Sequence, residues 1–219
     1  WGGDKMKNAG ATIVKHIKEL AFMGFIEVLF NLKTILSNIK FCKKDILKFS
    51  PDAILLVDYP GFNLRISTWA KKQNIPVYYY ISPQIWAWKQ SRVYKIKASV
   101  KKVYTILPFE KDFYKKFDLD VEYVGHPLVE EISDFLNKKH SKASFLKKYN
   151  LSKLPIIAIL PGSRHQEINV KLPLMLEAAR KFKSHQIIVA GAPNIDEINY
   201  LKNGLVNEKL IYGMTYEVI

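Results

Sequence analysis

Short apolar runs of strand length alternate with helix-like segments along most of the chain, and this alternation limits the possible folds. The runs at 53–57 and 156–160 are continuously apolar, which predicts strands buried on both faces. Further strands are predicted at 76–81, 102–107, 121–124 and 186–190. Helices are predicted at 23–49, 63–73, 91–99, 110–117, 142–149, 170–183 and 196–202. Repeated strand and helix predict an α/β fold of Rossmann-like lobes, each a parallel sheet with helices on both faces.

The alternation is interrupted once. Residues 128–154 are more charged and less strand-like, which is typical of a connector between lobes. We therefore expect a first lobe at 1–127, a connector at 128–154 and the start of a second lobe at 155–219. The chain begins without Met and stops soon after a turn-like Tyr-Gly pair. Both ends look cut, so we expect both lobes to be incomplete.

The composition is that of a folded protein. Hydrophobic residues make up 48% of the 219 positions, which excludes a disordered chain. The single cysteine, Cys42, excludes an intrachain disulfide and is predicted to be a small buried apolar residue. The most apolar stretch, 20–36, is interrupted by Glu27, Asn31 and Lys33, so no transmembrane segment is expected. No signal-peptide pattern is present.

The formal net charge is +14, and it is unevenly distributed. Residues 1–100 hold 16 Lys and Arg against 6 Asp and Glu, whereas residues 101–219 hold 18 against 14. This surplus predicts a surface that faces an anionic partner such as phospholipid. The alternative is an ordinary solvated surface, because 30 of the 34 basic residues are Lys. Nucleic acid is not an expected partner, since no recognition motif is present and Arg is scarce.

Candidate site residues follow the strands, because ligands of open parallel sheets bind beyond the carboxyl ends of the strands. Asp58 is a candidate general base or a ligand for a sugar hydroxyl, partly desolvated by Tyr59 and Phe62. The alternative is ordinary turn chemistry in the Asp-Tyr-Pro-Gly segment.

Three more side chains in such loops are candidate substrate contacts: Ser82, Trp86 and His126. Trp86 equally fits a packing role and His126 a structural hydrogen bond. No metal site is expected, because the five histidines do not fall at ligand spacing and one cysteine cannot complete a site.

The turn Pro-Gly-Ser-Arg at 161–164 lies between a buried strand and a helix, an arrangement that receives phosphate. Gly162 would permit close backbone approach, Ser163 offers a hydroxyl, and Arg164 offers a bidentate guanidinium. The turn matches no known phosphate-loop pattern. A purely structural turn is therefore the alternative.

Six segments, read together, resemble the lipid-A-disaccharide synthase family in order and approximate spacing. They are FMGFIEVL (22–29), VDYPGFN (57–63), YISPQIWAWK (80–89), LPFEK (107–111), GHPL (125–128) and LPGSR with Glu167 (160–167). The likeness extends over nearly the whole chain.

The resemblance implies a two-lobed glycosyltransferase of the GT-B type without a cofactor. Its substrates would be UDP-2,3-diacylglucosamine and 2,3-diacylglucosamine 1-phosphate (lipid X), joined with inversion and release of UDP. It would be a cytoplasmic protein, peripheral on the bacterial inner membrane and possible as a homodimer.

By position, the resemblance makes Asp58 the base and places Gly162, Ser163 and Arg164 on the nucleotide side, with Glu167 in support. It also implies that Asp58 and Arg164 serve one cleft. The apolar stretch 20–36 would contact membrane lipid or acyl chains, with core packing as the alternative.

The chain departs from the family pattern in three ways. It lacks the Gly-Glu-x-Ser-Gly-Asp segment and most of the second lobe, and Tyr-Pro-Gly replaces the more usual Ala-Pro-Asp after Asp58. We therefore expect the 219-residue chain alone to be inactive. Alternatives are another sugar-nucleotide enzyme of this architecture, such as a soluble glycosyltransferase or a UDP-sugar epimerase, or a non-enzymatic membrane or nucleic-acid binder.

Overall fold

The computed structural model describes residues 1–19, 32–137, 141–193 and 195–213. The chain divides into two compact units, Trp1–Pro127 and Leu128–Ile219, and each is described by itself. The predicted start of the first long helix at 23–31, and with it most of the apolar stretch 20–36, lies outside the described residues.

The first unit contains four parallel strands in the order β1-β2-β3-β4. Its elements are α1 (Asp4–Asn8), a 3₁₀ turn (Ile17–Glu19), α2 (Leu32–Phe49), β1 (Ile54–Val57), α3 (Pro60–Lys72), β2 (Val77–Tyr80), α4 (Arg92–Ser99), β3 (Lys102–Thr105), α5 (Glu110–Lys115) and β4 (Glu122–Tyr123). The predicted parallel α/β architecture is confirmed. Pro60 begins α3, where its fixed φ favours helix and its missing N–H costs nothing.

The core of the first unit lies between the sheet and its helices. Alternate residues of β2 are buried, with Val77 and Tyr79 fully inside. Ile66 of α3 and Ile96 of α4 are buried in the same cluster. A period of two along the strand and of three to four along the helices produces this burial.

The structure corrects the expectation for β1. A continuously apolar run predicts burial on both faces, but only Leu56 is buried, while Leu55 and Val57 are exposed. In the described sheet β1 pairs only with β2 and is therefore an edge strand.

Cys42 lies on the inner face of α2 and is buried, as predicted. Burial raises the pKa of its thiol to about 12, and the nearby Asp45 carboxylate acts in the same direction. The thiol is therefore protonated and unreactive in the folded unit.

The second unit has three parallel strands in the order β5-β6-β7. Its elements are α6 (Pro127–Asn137), which starts at the boundary, then α7 (Lys142–Lys148), β5 (Ile156–Ile159), α8 (His165–Ala179), β6 (Gln186–Gly191), α9 (Glu197–Lys202) and β7 (Lys209–Tyr212). The core contains Ile168, Leu172 and Leu176 of α8 with Val189 of β6.

Three elements of the second unit differ from the sequence-based expectation. Helix α8 begins at His165 rather than 170 and contains Pro173 in its interior. Strand β7 and helix α6 were not predicted. Residues 128–154, predicted as a connector with one helix at 142–149, contain α6 and α7, and Phe145 and Tyr149 of α7 pack against Ile188 and Ile211.

An ion pair fixes the end of α8. Arg180 Nε donates to Glu208 Oε1 at 2.6 Å, and the other arm of the guanidinium donates to the Gly204 carbonyl. Burial acts to raise the pKa of Glu208, but the Arg180 and Val206 hydrogen bonds outweigh it and lower the pKa to about 2.

Candidate functional site

A cavity of about 320 Å³ opens at the carboxyl edge of the first sheet. Its lining comes from the segments that follow β1, β2 and β3. The described lining residues are Asp58, Pro60, Ile81, Ser82, Pro83, Gln84, Trp88, Arg92, Ile106, Leu107 and Glu110. This is the edge at which open parallel sheets bind ligands.

The backbone at this edge is held in an unfavourable conformation. Asp58 and Tyr59 have φ values of 45° and 46°, and Ile81 and Lys89 have 54° and 55°. For residues with a side chain, positive φ is costly, and for a β-branched residue such as Ile81 it is rare. The other described non-glycine residues with positive φ, which are Ser50, Asn74, Asp118 and Asn150, follow helix ends. Strain away from helix ends is thus concentrated beside the cavity.

Two buried side chains hold the strained turn at Asp58. Asn63 Nδ2 donates to the carbonyl oxygens of Val57 at 3.0 Å and Asp58 at 2.6 Å. The Tyr79 hydroxyl also donates to the Asp58 carbonyl, at 2.8 Å. Burial raises the pKa of Tyr79 well above its usual range, with Asp58 adding to the rise and Arg92 opposing it. Both charges therefore act at the same hydroxyl.

The carboxylate of Asp58 is more accessible than expected. Asp58 is exposed, whereas the sequence interpretation had Tyr59 and Phe62 desolvating it. Phe62 is instead buried in the core, stacked on Tyr59 at 5.7 Å. The Asp58 side chain is therefore accessible at the cavity.

Two polar groups on the cavity wall are almost completely buried. Ser82 is 4% exposed, and its Oγ accepts a hydrogen bond from Tyr114 at 3.0 Å. Glu110 is 1% exposed, and its Oε2 accepts the backbone N–H groups of Ile106 and Leu107. Glu110 thereby fixes the turn after β3.

Arg92 is the cation of the cavity. Its guanidinium carbon lies 5.2 Å from the centre of the Trp88 ring, and Lys89 Nζ lies 4.5 Å from the same ring. Trp88 is 58% exposed and lines the cavity with Arg92, so the ring and the guanidinium form an accessible wall.

A second candidate site, in the second unit, is the loop between β5 and α8. Because α8 begins at His165, Gly162, Ser163 and Arg164 lie directly before its N-terminus. Gly162 has φ +121°, and a Cβ there would come within 2.8 Å of Glu167 Cβ, so glycine is required.

Glu167 organises this loop from the first turn of α8. Its Oε2 accepts the Ser163 backbone N–H at 3.0 Å, and its Oε1 lies 3.7 Å from Arg164 and 3.8 Å from Lys171. The Ser163 N–H bond is the main reason that the pKa of Glu167 is lowered, with the neighbouring cations acting in the same direction. The carboxylate is thus ionised and holds both the loop and the Arg164 side chain.

Comparison with known proteins matches the sequence of this chain to one family. The family model described as lipid-A-disaccharide synthetase matches residues 1–215. The chain belongs to the lipid-A-disaccharide synthetase family. Relatives named lipid-A-disaccharide synthase include one from Syntrophus aciditrophicus, 36% identical over 100% of this chain and 58% of the relative. Another, from Trichlorobacter lovleyi, is 42% identical over 82% of this chain and 46% of the relative.

The chain therefore spans about half of the length of the family members that it matches. The fold agrees with a solved structure, a UDP-GlcNAc 2-epimerase from Neisseria meningitidis bound to UDP-GlcNAc. The TM-score is 0.51 at 15% identity, and the match covers 99% of this chain and 64% of the epimerase chain. This likeness supports the Rossmann-like, GT-B-like architecture of the lobes.

The structure brings some of the predicted site residues of this family member together. Asp58 and Ser82 line the same cavity. Trp86 lies elsewhere: its ring packs edge-on against Phe109 at 5.0 Å, and its buried Nε1 has no hydrogen-bond partner among the described residues. His126 is half-buried between Gly125 and α6 and is not among the described lining residues.

Sequence reasoning missed Arg92 and Glu110. Two signals for Arg92 were available: it is one of four arginines in the chain, and it lies four residues after Trp88 in the segment that follows β2. Within the described ranges, no group of three or more His, Cys, Asp and Glu side chains is arranged to hold a metal ion. None of the described helices is both long and apolar enough to cross a bilayer.

Proposed function

We propose that the protein to which this chain belongs is an inverting glycosyltransferase of lipid A biosynthesis. It transfers the 2,3-diacylglucosaminyl group from UDP-2,3-diacylglucosamine to the 6-hydroxyl of 2,3-diacylglucosamine 1-phosphate. The products are UDP and a β-1,6-linked disaccharide 1-phosphate. The observation that supports this most directly is the family match over residues 1–215, with Asp58 at the cavity edge of the first sheet.

In this mechanism Asp58 acts on the acceptor. Its carboxylate takes the proton of the acceptor hydroxyl as that oxygen bonds to the anomeric carbon of the donor. The bond from the anomeric carbon to the diphosphate breaks, and its electron pair leaves with UDP. The clamped turn orients the carboxylate, so little reorganisation is needed when the hydroxyl arrives.

The loop Gly162–Arg164 acts on the leaving group. Backbone N–H groups at the start of α8 and the Arg164 guanidinium would stabilise the negative charge that develops on the diphosphate. Glu167 supports this role by holding the loop. Ser82, Trp86 and His126 remain proposed substrate contacts, of which Ser82 has support from its position on the cavity wall.

The test is an assay of disaccharide formation with the longest form of the protein, analysed by mass spectrometry. We expect Asp58→Asn to lower kcat by about 10²- to 10⁴-fold, the usual contribution of a general base. Asp52→Asn, which removes an exposed carboxylate six residues earlier, is the matched control and should keep kcat. Wild-type kcat in Asp58→Asn would contradict the assignment. The 219-residue chain alone is expected to form no product.

The same assay separates the alternative of a sugar-nucleotide epimerase. An epimerase would convert the UDP-sugar without any acceptor and would not produce a disaccharide. Conversion that is independent of lipid X would therefore favour that alternative over glycosyl transfer.

We also propose that the protein acts on an anionic membrane surface, peripherally on the cytoplasmic side of the inner membrane, as a homodimer. The support for membrane contact is the exposed face of α2. Lys40, Lys44 and Lys48 recur every four residues on that face, and Phe41 and Phe49 are exposed on the same helix.

A further inference from the structure

The guanidinium of Arg92 is placed for a ligand rather than for an internal partner. Arg92 is half-buried at the start of α4 and lines the cavity, with its guanidinium carbon 5.2 Å from the centre of the Trp88 ring. Among the described residues, no carboxylate lies within ion-pair distance of it, and its side chain makes no hydrogen bond. Five N–H donors are thus available at the cavity wall.

The buried hydroxyl of Ser82 points to the same kind of ligand. Tyr114 donates to Ser82 Oγ, so the Ser82 proton is available to a different acceptor. No acceptor for it is present in the part of the chain that the structure describes. The Ser82 hydroxyl is 4% exposed and lies on the cavity wall, so it can donate its proton to an anionic oxygen of a bound ligand.

The two acidic residues that line the cavity, Asp58 and Glu110, do not pair with Arg92 or Ser82. Glu110 is used by the two backbone N–H groups after β3. Asp58 projects from the turn after β1, whereas Arg92 and Ser82 follow β2. The cavity therefore has a carboxylate on the β1 side and hydrogen-bond donors on the β2 side.

We propose that Arg92 and Ser82 form a phosphomonoester subsite in this cavity, which holds the acceptor sugar by its phosphate while Asp58 faces its hydroxyl. A guanidinium binds two phosphate oxygens in parallel, and the Ser82 hydroxyl donates to the third. This inference rests on the proposed function in one respect: the phosphate that the subsite binds is assigned to the acceptor sugar and not to the diphosphate of the donor. The donor diphosphate is assigned to the loop at Gly162–Arg164.

The first test compares two acceptors, 2,3-diacylglucosamine 1-phosphate and its dephosphorylated form. For Arg92→Ala we expect KM for the phosphorylated acceptor to rise about 10- to 100-fold, as for loss of a charge-assisted bidentate contact. The rise for the dephosphorylated acceptor should be much smaller, so the preference for phosphate shrinks. Arg92→Lys, which keeps the positive charge but not the two parallel N–H donors of the guanidinium, should give an intermediate KM. Lys95→Ala, an exposed cation on the same helix, is the control and should keep the wild-type preference.

An undiminished preference for the phosphorylated acceptor in Arg92→Ala would overturn the proposal, even if kcat fell, because Arg92 would then act only on the structure. Circular dichroism and Tm of each variant verify that the fold is intact.

The second test does not depend on turnover and so separates failure of the subsite from failure of the proposed function. Glucosamine 1-phosphate, a water-soluble probe, is titrated into the wild-type protein and the Arg92→Ala and Lys95→Ala variants by calorimetry, with UDP in a parallel arm. We expect only Arg92→Ala to lose affinity for the sugar phosphate. Equal binding by all three would overturn the subsite. Loss of UDP binding in Arg92→Ala instead would assign the site to the donor diphosphate and overturn the acceptor assignment.

Discussion

The contacts that hold Asp58 in place reach its backbone carbonyl. Asn63 and Tyr79 both donate to that oxygen, and both are buried, so the left-handed turn is stabilised from inside the unit. Asp58 itself was identifiable from the sequence, because it directly follows a predicted strand. The two residues that hold its carbonyl were not identifiable, because the sequence shows Asn63 and Tyr79 only as ordinary residues of a predicted helix and a predicted strand. Their role depends on positive φ values that no sequence pattern revealed.

Replacing Asn63 should therefore affect both stability and catalysis. Asn63→Ala removes the Nδ2 donor from the Val57 and Asp58 carbonyls and leaves the Asp58 carbonyl only its hydrogen bond from Tyr79. We expect a loss of about 1–3 kcal/mol in the free energy of unfolding, measured in urea. We also expect kcat to fall more than KM changes, because the carboxylate is no longer held in one position.

The control for this prediction is Thr68→Val. Thr68 Oγ1 donates to the Leu64 carbonyl on the same helix, away from the turn. It should cost some stability and leave kcat unchanged. An equal fall in kcat in both variants would mean that Asn63 acts only through stability.

A second residue-scale prediction concerns acid stability through Glu208. Its folded pKa of about 2 lies below the usual unfolded value of about 4.3, so its contribution is complete above pH ~4.5 and is lost as the pH falls towards 2. After allowance for solvent screening we expect about 1–2 kcal/mol. The measurement is the urea midpoint of the second unit from pH 6 to 2, in wild type and Glu208→Gln. Curves that stay parallel over this range would contradict the assignment.

At the scale of elements, the helices and strands were largely predictable, and the misses have physical causes. Strand β7 is flanked by charged and glycine residues, and its pairing with β6 supplies the order that its short sequence does not. Helix α8 was predicted to begin too late because its first turn is polar and carries no apolar period. The earlier start places the Gly162–Arg164 loop directly at the helix N-terminus. The position of Arg92 on the cavity wall could not be predicted, because hydrophobic periodicity does not show which side chains come together in the folded unit.

Helix α2 yields the prediction for this scale. Replacing Lys40, Lys44 and Lys48 with Gln should weaken binding to vesicles that contain anionic phospholipid, by about 1 kcal/mol per charge at low salt. Lys43 is left in place because its Nζ lies over the Trp69 ring at 5.7 Å. Co-sedimentation at several salt concentrations measures the effect.

A matched triple variant, with Lys181, Lys183 and Lys202 of the second unit changed to Gln, removes the same charge from exposed positions elsewhere. Equal losses in the two triple variants would show that net charge alone attracts the protein to vesicles. Only a selective loss supports a membrane-facing α2.

At the scale of the whole molecule, the chain has separate hydrophobic clusters in its two units. Ile66 is buried in the cluster of the first unit and Leu172 in that of the second. Ile66→Ala and Leu172→Ala should each lower the stability of their own unit by about 2–5 kcal/mol. Because multi-domain chains depart from two-state unfolding, we expect two resolvable transitions, each moved by one substitution. A single transition moved equally by both would show that the units unfold together.

The buried position of Cys42 has a practical consequence. It is the one thiol in the sequence and belongs to the core of the first unit alone. Its alkylation requires local opening that exposes the inner face of α2, so the labelling rate at a given denaturant concentration reports how often the core of the unit that carries Asp58 opens.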